Sequence, residues 1–219
     1  MCNFRSGEAV LTGSGLKVYW SKITDSHTAI RKEFGIAEVM DLNHEPGHIP
    51  IELIPVRGLL RKRDYDLVFD AGKPSWWLPE YDQQAIDQMW DAVTEWLDVP
   101  TRTLRCPSVL RLSGITKLPK GMIVKSVGGN LYLDRLASLE KGVKFPNSVG
   151  DDLYLGSLNS LEKGVVLPKS VGGDLRLNSL TSLEAGVALP KSVGGDLYLH
   201  RLTSLENVPR KLRDKVRRP

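Results

Sequence analysis

The sequence predicts an α+β domain over residues 1–100, a mostly β, right-handed solenoid over 101–206 and a basic capping segment over 207–219. The solenoid is predicted by a motif that recurs every 22 residues in the second half of the chain. The first domain is predicted by a mixture of strand and helix patterns without a repeat. With 41% hydrophobic and 26% charged residues, the composition is that of a globular protein.

Three segments of the first domain alternate apolar and polar residues, as half-buried strands do. They are "LKVYW" (16–20), "IPIELIPV" (49–56) and "YDLVFDAG" (65–72). Because helical patterns separate and follow them, the predicted order is β-α-β-β-α. This order favours a small sheet of three strands that is covered by two helices.

Two helices are expected in the first domain. The first lies in "DSHTAIRKEFGI", where Asp25 or Ser26 would cap the N-terminus and Gly35 would end the helix. The second spans 81–100 and ends at Pro100. Its apolar residues recur at helical spacing, and they are Ile86, Met89, Trp90, Val93 and Leu97.

The repeat of the second half predicts about five stacked turns. Clear copies start at Val127, Val149, Val171 and Val193, and a degenerate copy starts at Ser108. Each clear copy contains "DLYL" or a close variant, in which two leucines alternate with other residues as in a strand. One short strand per turn is therefore expected. A single turn cannot bury its apolar side, so stacked neighbours must close the core.

Four columns of leucine are expected to form that core. They are Leu131, Leu153, Leu175 and Leu197; Leu133, Leu155, Leu177 and Leu199; Leu136, Leu158, Leu180 and Leu202; and Leu139, Leu161, Leu183 and Leu205. Glycine precedes the strand of every copy, where a sharp turn requires a permissive backbone. These glycines are Gly128, Gly150, Gly172 and Gly194.

The pattern L-Y-L-x-x-L-x-S-L-E resembles a leucine-rich repeat. It departs from that family because no asparagine follows the strand; Arg135, Ser157, Ser179 and Arg201 lie there instead. The departure leaves two shapes open, a curved horseshoe and a straighter β-solenoid.

One column between the inward leucines should face outward. It consists of Tyr132, Tyr154, Arg176 and Tyr198, and it is flanked at its end by His200 and Arg201. Because tyrosine and arginine are enriched at binding hot spots, the column is a candidate protein-binding stripe. The alternative is structural, since tyrosine favours strands and stacked tyrosines stabilise a ladder by themselves.

Basic residues offer a second candidate surface. The net charge of +4 comes from the tail 207–219, which holds six basic residues and one acidic residue. The tail includes Arg210, Lys211 and Arg213, and a basic loop in the first domain includes Arg61, Lys62 and Arg63. These residues could contact nucleic acid or an acidic partner. The alternative is a solvated loop and a short amphipathic capping helix, with Leu212 and Val216 against the last turn.

The segment "DLNHEPGHIP" (41–50) contains His44, Glu45 and His48, the spacing of a helical zinc-protease motif. Pro46 disfavours a helix at Glu45, so a turn before a strand is expected. No metal ligands, no catalytic residues and no cofactor are predicted. The enzyme hypothesis for the first domain is therefore the weakest of the three functional hypotheses.

The order of "LKVYWSKITDSHTAIRKEFGI", "IPIELIPV" and "WWLPEYD" resembles the N-terminal module of a group of bacteriophage-encoded accessory proteins, over residues 16–98. In that group, a module of about 100 residues precedes a variable run of short β-forming repeats. The resemblance implies a phage or prophage origin, no assigned catalytic residues, and a host protein as partner, including proteins of defence systems.

Cysteine content and hydropathy indicate the compartment. Only two cysteines occur, Cys2 and Cys106, and no apolar run is long enough for a membrane span. The sequence therefore favours the bacterial cytoplasm, without membrane association. An incompletely capped solenoid end would also permit homo-oligomers.

Overall fold

The computed structural model describes residues 4–36, 47–140, 142–161 and 164–218. A four-stranded antiparallel sheet with two helices is followed by a solenoid with two six-stranded sheets. One continuous apolar core runs from Phe4 to Leu212. The predicted α+β domain, the parallel β-solenoid and its 22-residue period are confirmed.

The first sheet has one strand more than the three that were predicted. Its strands are β1 (Arg5–Thr12), β2 (Gly15–Tyr19), β3 (His48–Pro55) and β4 (Tyr65–Phe69), in the order β2-β1-β3-β4. Strand β1 is not predicted from the sequence, because Arg5 and Glu8 occupy positions where a central strand usually has apolar residues. Both are fully buried and obtain polar partners from other elements.

The helices α1 (His27–Phe34) and α2 (Pro79–Trp96) lie on opposite faces of this sheet. Ser26 caps α1 by accepting a hydrogen bond from the backbone N–H of Ala29, and Gly35 ends it with φ of 64°. Both features were predicted. On the other face α2 approaches β1 so closely that a Cβ at Gly7 would lie 2.6 Å from Met89 Sδ.

Helix α2 ends earlier than predicted, at Trp96 and not at Pro100. The next two residues form β5 (Leu97–Asp98), which pairs antiparallel with β6 (Thr103–Cys106). Leu97 is fully buried in this strand. The α+β domain therefore continues directly into the first sheet of the solenoid.

Each solenoid turn contributes two strands, where one was predicted. The first solenoid sheet continues from β6 through β8 (Ile123–Val127), β10 (Ser148–Val149), β12 (Ser170–Val171) and β14 (Ser192–Val193). The second contains β7 (Leu110–Arg111), β9 (Leu131–Tyr132), β11 (Leu153–Tyr154), β13 (Leu175–Arg176), β15 (Leu197–Tyr198) and β16 (Val216–Arg217). Each Ser-Val strand has a single inward valine and no second apolar residue two positions on, so it shows no alternation of the kind that the two leucines of "DLYL" show.

The four leucine columns form the core as predicted. Their members are nearly inaccessible to solvent, except for the half-buried Leu205 in the last turn. A fifth inward column comes from the missed strands, and it contains Val127, Val149, Val171 and Val193.

The C-terminal segment caps the solenoid with a short helix, as expected, but the helix is a 3₁₀ helix that spans Arg210–Lys215 and does not include Val216. Strand β16 then extends the second solenoid sheet through parallel pairing of Val216 with Leu197. Leu212 is buried as expected. The Lys215 ammonium donates to the carbonyl oxygens of Val193 and Gly194 at the edge of the first solenoid sheet. The segment thus covers the last strands of both sheets.

Candidate functional site

Six side chains form one row across the outer face of the second solenoid sheet. Parallel pairing places them in register, one on each strand. They are Arg111, Tyr132, Tyr154, Arg176, Tyr198 and Arg217, and we call them the Arg-Tyr row. Each is half-buried except Arg217, which is exposed. Four of the six were predicted.

The missing members lie at the two ends of the row. Arg111 belongs to the degenerate copy, where Leu110 and Leu112 already occupy the core columns. The residue between those leucines could therefore have been assigned to the row. Arg217 could not have been assigned to the row, because it joins the sheet only through the unexpected strand β16.

The members of the row stack on one another along the solenoid. The rings of Tyr132 and Tyr154 have centroids 4.3 Å apart and an interplanar angle of 17°. The Arg111 guanidinium lies 3.7 Å from the Tyr132 centroid. Arg176 lies between Tyr154 and Tyr198, at 5.1 and 4.6 Å from their centroids. Cation–π and stacking contacts thus occupy the ring faces, and the ring edges, hydroxyl groups and guanidinium edges point along the surface.

A second ladder runs beside the row and consists of Asn130, Asp152, Asp174 and Asp196. The side-chain oxygen of each of the first three accepts the backbone N–H of the next member, at 2.8, 2.7 and 2.9 Å. Like charges in register repel unless they have partners. Here the backbone of the next turn is that partner, so the aspartates are part of the coil's own hydrogen bonding.

The ladder also fixes the conformation of the row. The Tyr154 hydroxyl donates to Asp152 at 2.9 Å, and the Arg176 guanidinium contacts Asp174 at 3.2 Å. Arg217 contacts Asp196 at 2.8 Å. Burial and the hydrogen bond to Asp152 raise the pKa of Tyr154, which favours the protonated phenol that donates to Asp152. The row is therefore held in one arrangement before any partner binds.

His200 and Arg201 lie beside the last turn of the row, as predicted, and both are exposed. The imidazole of His200 meets the ring of Tyr198 edge-on, with centroids 5.7 Å apart and an interplanar angle of 76°. His200 and Arg201 extend the exposed polar surface beyond β15.

A groove lies at the other end of the row, between the N-terminus of α1 and the first solenoid turn. Its volume is about 330 Å³. Its walls include Asp25, Ser26, Val109, Arg111 and Tyr132. Two members of the row therefore also line the groove, and the two features form one continuous surface.

The predicted basic residues do not come together. Lys62 forms an ion pair of 2.7 Å with Asp87 of α2, on the first domain. Arg213 donates to the backbone oxygens of Val208 and Glu206, both at 3.0 Å, in the cap at the far end of the solenoid. Arg61 and Arg63 lie beside Lys62, and Arg210 and Lys211 lie beside Arg213.

Of the residues in the zinc-protease spacing, His44 and Glu45 lie outside the described part of the chain, as does Cys2. His48 is the first residue of β3, and its Nδ1 lies 3.2 Å from a carboxylate oxygen of Glu8. Cys106 is buried, and burial raises the pKa of its thiol to about 12, which suppresses the nucleophilic thiolate.

In the described part of the chain, no helix combines the length and the apolar composition needed to cross a bilayer. Comparisons of the chain with protein-family models, with curated proteins and with solved structures find no match. The candidate site therefore rests on the geometry of this chain alone, namely a preorganised row of arginine and tyrosine side chains on a parallel β-solenoid.

Proposed function

We propose that this protein is a non-enzymatic protein-binding module, and that it binds its partner through the Arg-Tyr row together with His200 and Arg201. The observation that carries the proposal is the in-register row of six arginine and tyrosine side chains, held by the ladder behind it. Arginine and tyrosine dominate the hot spots of protein interfaces. Their fixed rotamers reduce the conformational entropy that binding must overcome.

The dimensions of the surface suit a protein partner. Strands about 4.8 Å apart place the two ends of a six-stranded row roughly 24 Å from each other. A stable interface covers about 800 Å² on each partner. The area of the row alone is smaller than that. The groove beside Arg111 and the exposed residues beside Tyr198 supply further contact area.

The chemistry of the row indicates what the partner presents. The ring faces are occupied by stacking, so a partner meets hydroxyl groups and guanidinium edges. The guanidinium edges offer only hydrogen-bond donors, whereas the Tyr154 hydroxyl already donates to Asp152 and can accept from a partner. We therefore propose a partner surface rich in acceptors, with carboxylates opposite Arg111, Arg176 and Arg201.

The resemblance of residues 16–98 to phage accessory proteins supports a finer proposal. The partner is a host protein in the bacterial cytoplasm, with a role in defence or regulation, and binding inhibits it. Nucleic acid is the weaker alternative, because the basic loop and the basic cap lie apart and Lys62 and Arg213 already have partners within the protein.

Affinity capture from bacterial lysate tests the proposal with two variants. Changing Tyr132, Tyr154 and Tyr198 together to serine should remove the partner, because the hydroxyl edges and the stacking of the arginines are both lost. The double variant His200→Glu/Arg201→Glu should weaken capture at least tenfold, because it places two carboxylates opposite an acceptor-rich surface. Both side chains are exposed, so this variant should fold like the wild type.

The control is Lys169→Ser/Lys191→Ser, which changes two exposed lysines before strands β12 and β14 of the other sheet. It should capture the partner as the wild type does. Equal capture by the wild type and the glutamate variant would contradict the proposal. A captured species that is nucleic acid, and that is lost when residues 210–219 are deleted, would favour the alternative.

A further inference from the structure

A polar cluster lies under α1, on the face of the four-stranded sheet that is opposite α2. Ser6 pairs with Glu52, Glu8 with Pro50 and Val10 with His48, so Glu8, His48 and Glu52 share this face. His27, the first residue of α1, covers it, and Asp70 follows the end of β4 at its rim. Glu8 and Glu52 are buried, whereas Asp70 is 44% exposed.

Three of these side chains converge with the spacing of metal ligands. His27 Nε2 lies 3.5 Å from a carboxylate oxygen of Asp70 and 4.0 Å from one of Glu52. The three ligand atoms all lie within 4.8 Å of one another. Zinc bonds of 2.0–2.2 Å in tetrahedral geometry separate ligand atoms by about 3.3 Å. Small rotations of the Glu52 and Asp70 side chains would bring the three ligand atoms to that spacing.

The other nitrogen of His27 provides an independent indication. Its Nδ1 lies 3.2 Å from Glu8 Oε1, and that carboxylate is fully buried and also accepts from Arg31 at 2.8 Å. Histidines that bind metal almost always donate their second ring N–H to a carboxylate or a carbonyl. Glu8 thus lies where the outer carboxylate of such a histidine lies, and Nε2 faces Glu52 and Asp70.

The charges of the cluster favour a cation. Glu8, Glu52 and Asp70 bring three carboxylates close to the imidazoles of His27 and His48, and Arg31 contributes one guanidinium. Burying carboxylates is unfavourable unless positive charge compensates it. A divalent ion between Glu52 and Asp70 would supply that charge where the three ligand atoms converge.

We propose that His27, Glu52 and Asp70 bind one divalent first-row transition-metal ion, with Glu8 as the outer carboxylate. One imidazole and two carboxylates suit zinc and its neighbours in that row. The ligands come from α1, β3 and the end of β4, so the ion ties the helix to the sheet. The exposed side of Asp70 leaves a fourth position open to water.

Calorimetric titration of the full-length, chelator-treated protein with zinc chloride tests the site, and visible absorption of the cobalt-loaded protein reports its coordination geometry. The wild type should bind one zinc ion, and cobalt should give a tetrahedral spectrum. Asp70→Asn and His27→Ala should each weaken zinc binding by at least the 10- to 100-fold that loss of an outer-shell partner costs. Asp66→Asn, which alters an exposed aspartate elsewhere on β4, should bind as the wild type does.

Absence of saturable zinc binding to the wild type would overturn the proposal. So would unchanged affinity in Asp70→Asn, which removes a partly exposed ligand and leaves the buried part of the cluster intact. If His27→Ala does not fold, the Asp70→Asn titration and the cobalt spectrum of the wild type still decide the question.

Discussion

Gly172→Ala is expected to destabilise the solenoid by about 3 kcal/mol, the upper end of the range for overpacking a core. A Cβ at this position would lie 1.8 Å from the carbonyl oxygen of Gly150 in the preceding turn. That carbonyl belongs to the backbone, so no side-chain rotation relieves the clash. The two turns would have to separate, which would disturb the neighbouring hydrogen bond from Gly172 N–H to Val149 O at 3.0 Å.

Denaturant unfolding of this variant beside Gly156→Ala isolates the effect. A Cβ at Gly156 has Asp134 Oδ1 at 3.7 Å as its nearest atom, which is ordinary contact. Other copies carry Asp134, Asn178 and His200 in the same column. Gly156→Ala should therefore change the free energy of unfolding by less than about 0.5 kcal/mol. Equal stabilities of the two alanine variants would show that the turns are not stacked this closely.

Asp174→Ala is expected to cost roughly 1–2 kcal/mol, because it leaves the backbone N–H of Asp196 without its acceptor. The same change removes the carboxylate that contacts the Arg176 guanidinium at 3.2 Å. Both losses act on the strands that carry the Arg-Tyr row, so thermal stability and hydrogen exchange at Asp196 report them directly.

Asp174→Asn is the matched control for that prediction. Asn130 occupies the same column in an earlier turn, and its side-chain oxygen accepts the N–H of Asp152 at 2.8 Å. The asparagine variant should therefore unfold within about 0.5 kcal/mol of the wild type, since the ion pair it loses is partly exposed. If asparagine destabilises as much as alanine, charge and not the backbone hydrogen bond is the stabilising feature of the ladder.

The repeat made the solenoid predictable because each inward column recurs in every copy. The leucine columns, the glycine corners and four members of the Arg-Tyr row follow from position alone. The second strand of each turn does not follow, because Ser148–Val149, Ser170–Val171 and Ser192–Val193 each have one inward valine and therefore no alternating pattern. Strand β16 does not follow either, since Val216 acquires its register from Leu197 and not from its own neighbours.

The first domain shows where sequence reasoning fails for a different reason. The charges of Arg5 and Glu8 in β1 predict exposed side chains, yet both are fully buried. Their partners, Asp25 and Arg31, are 20 and 23 positions away in the sequence. The cluster around His27 is equally invisible, because its members come from four separate segments. Only the fold brings them together.

Site-specific photo-crosslinking tests the central claim, that the outer face of the second solenoid sheet binds a protein. Benzoylphenylalanine at His200, beside the Arg-Tyr row, should crosslink to one defined host protein in infected or lysate-treated samples. The same group at Lys191, which is exposed beside the other sheet, should not capture that protein. No protein adduct from His200, or the same adducts from both positions, would contradict the claim.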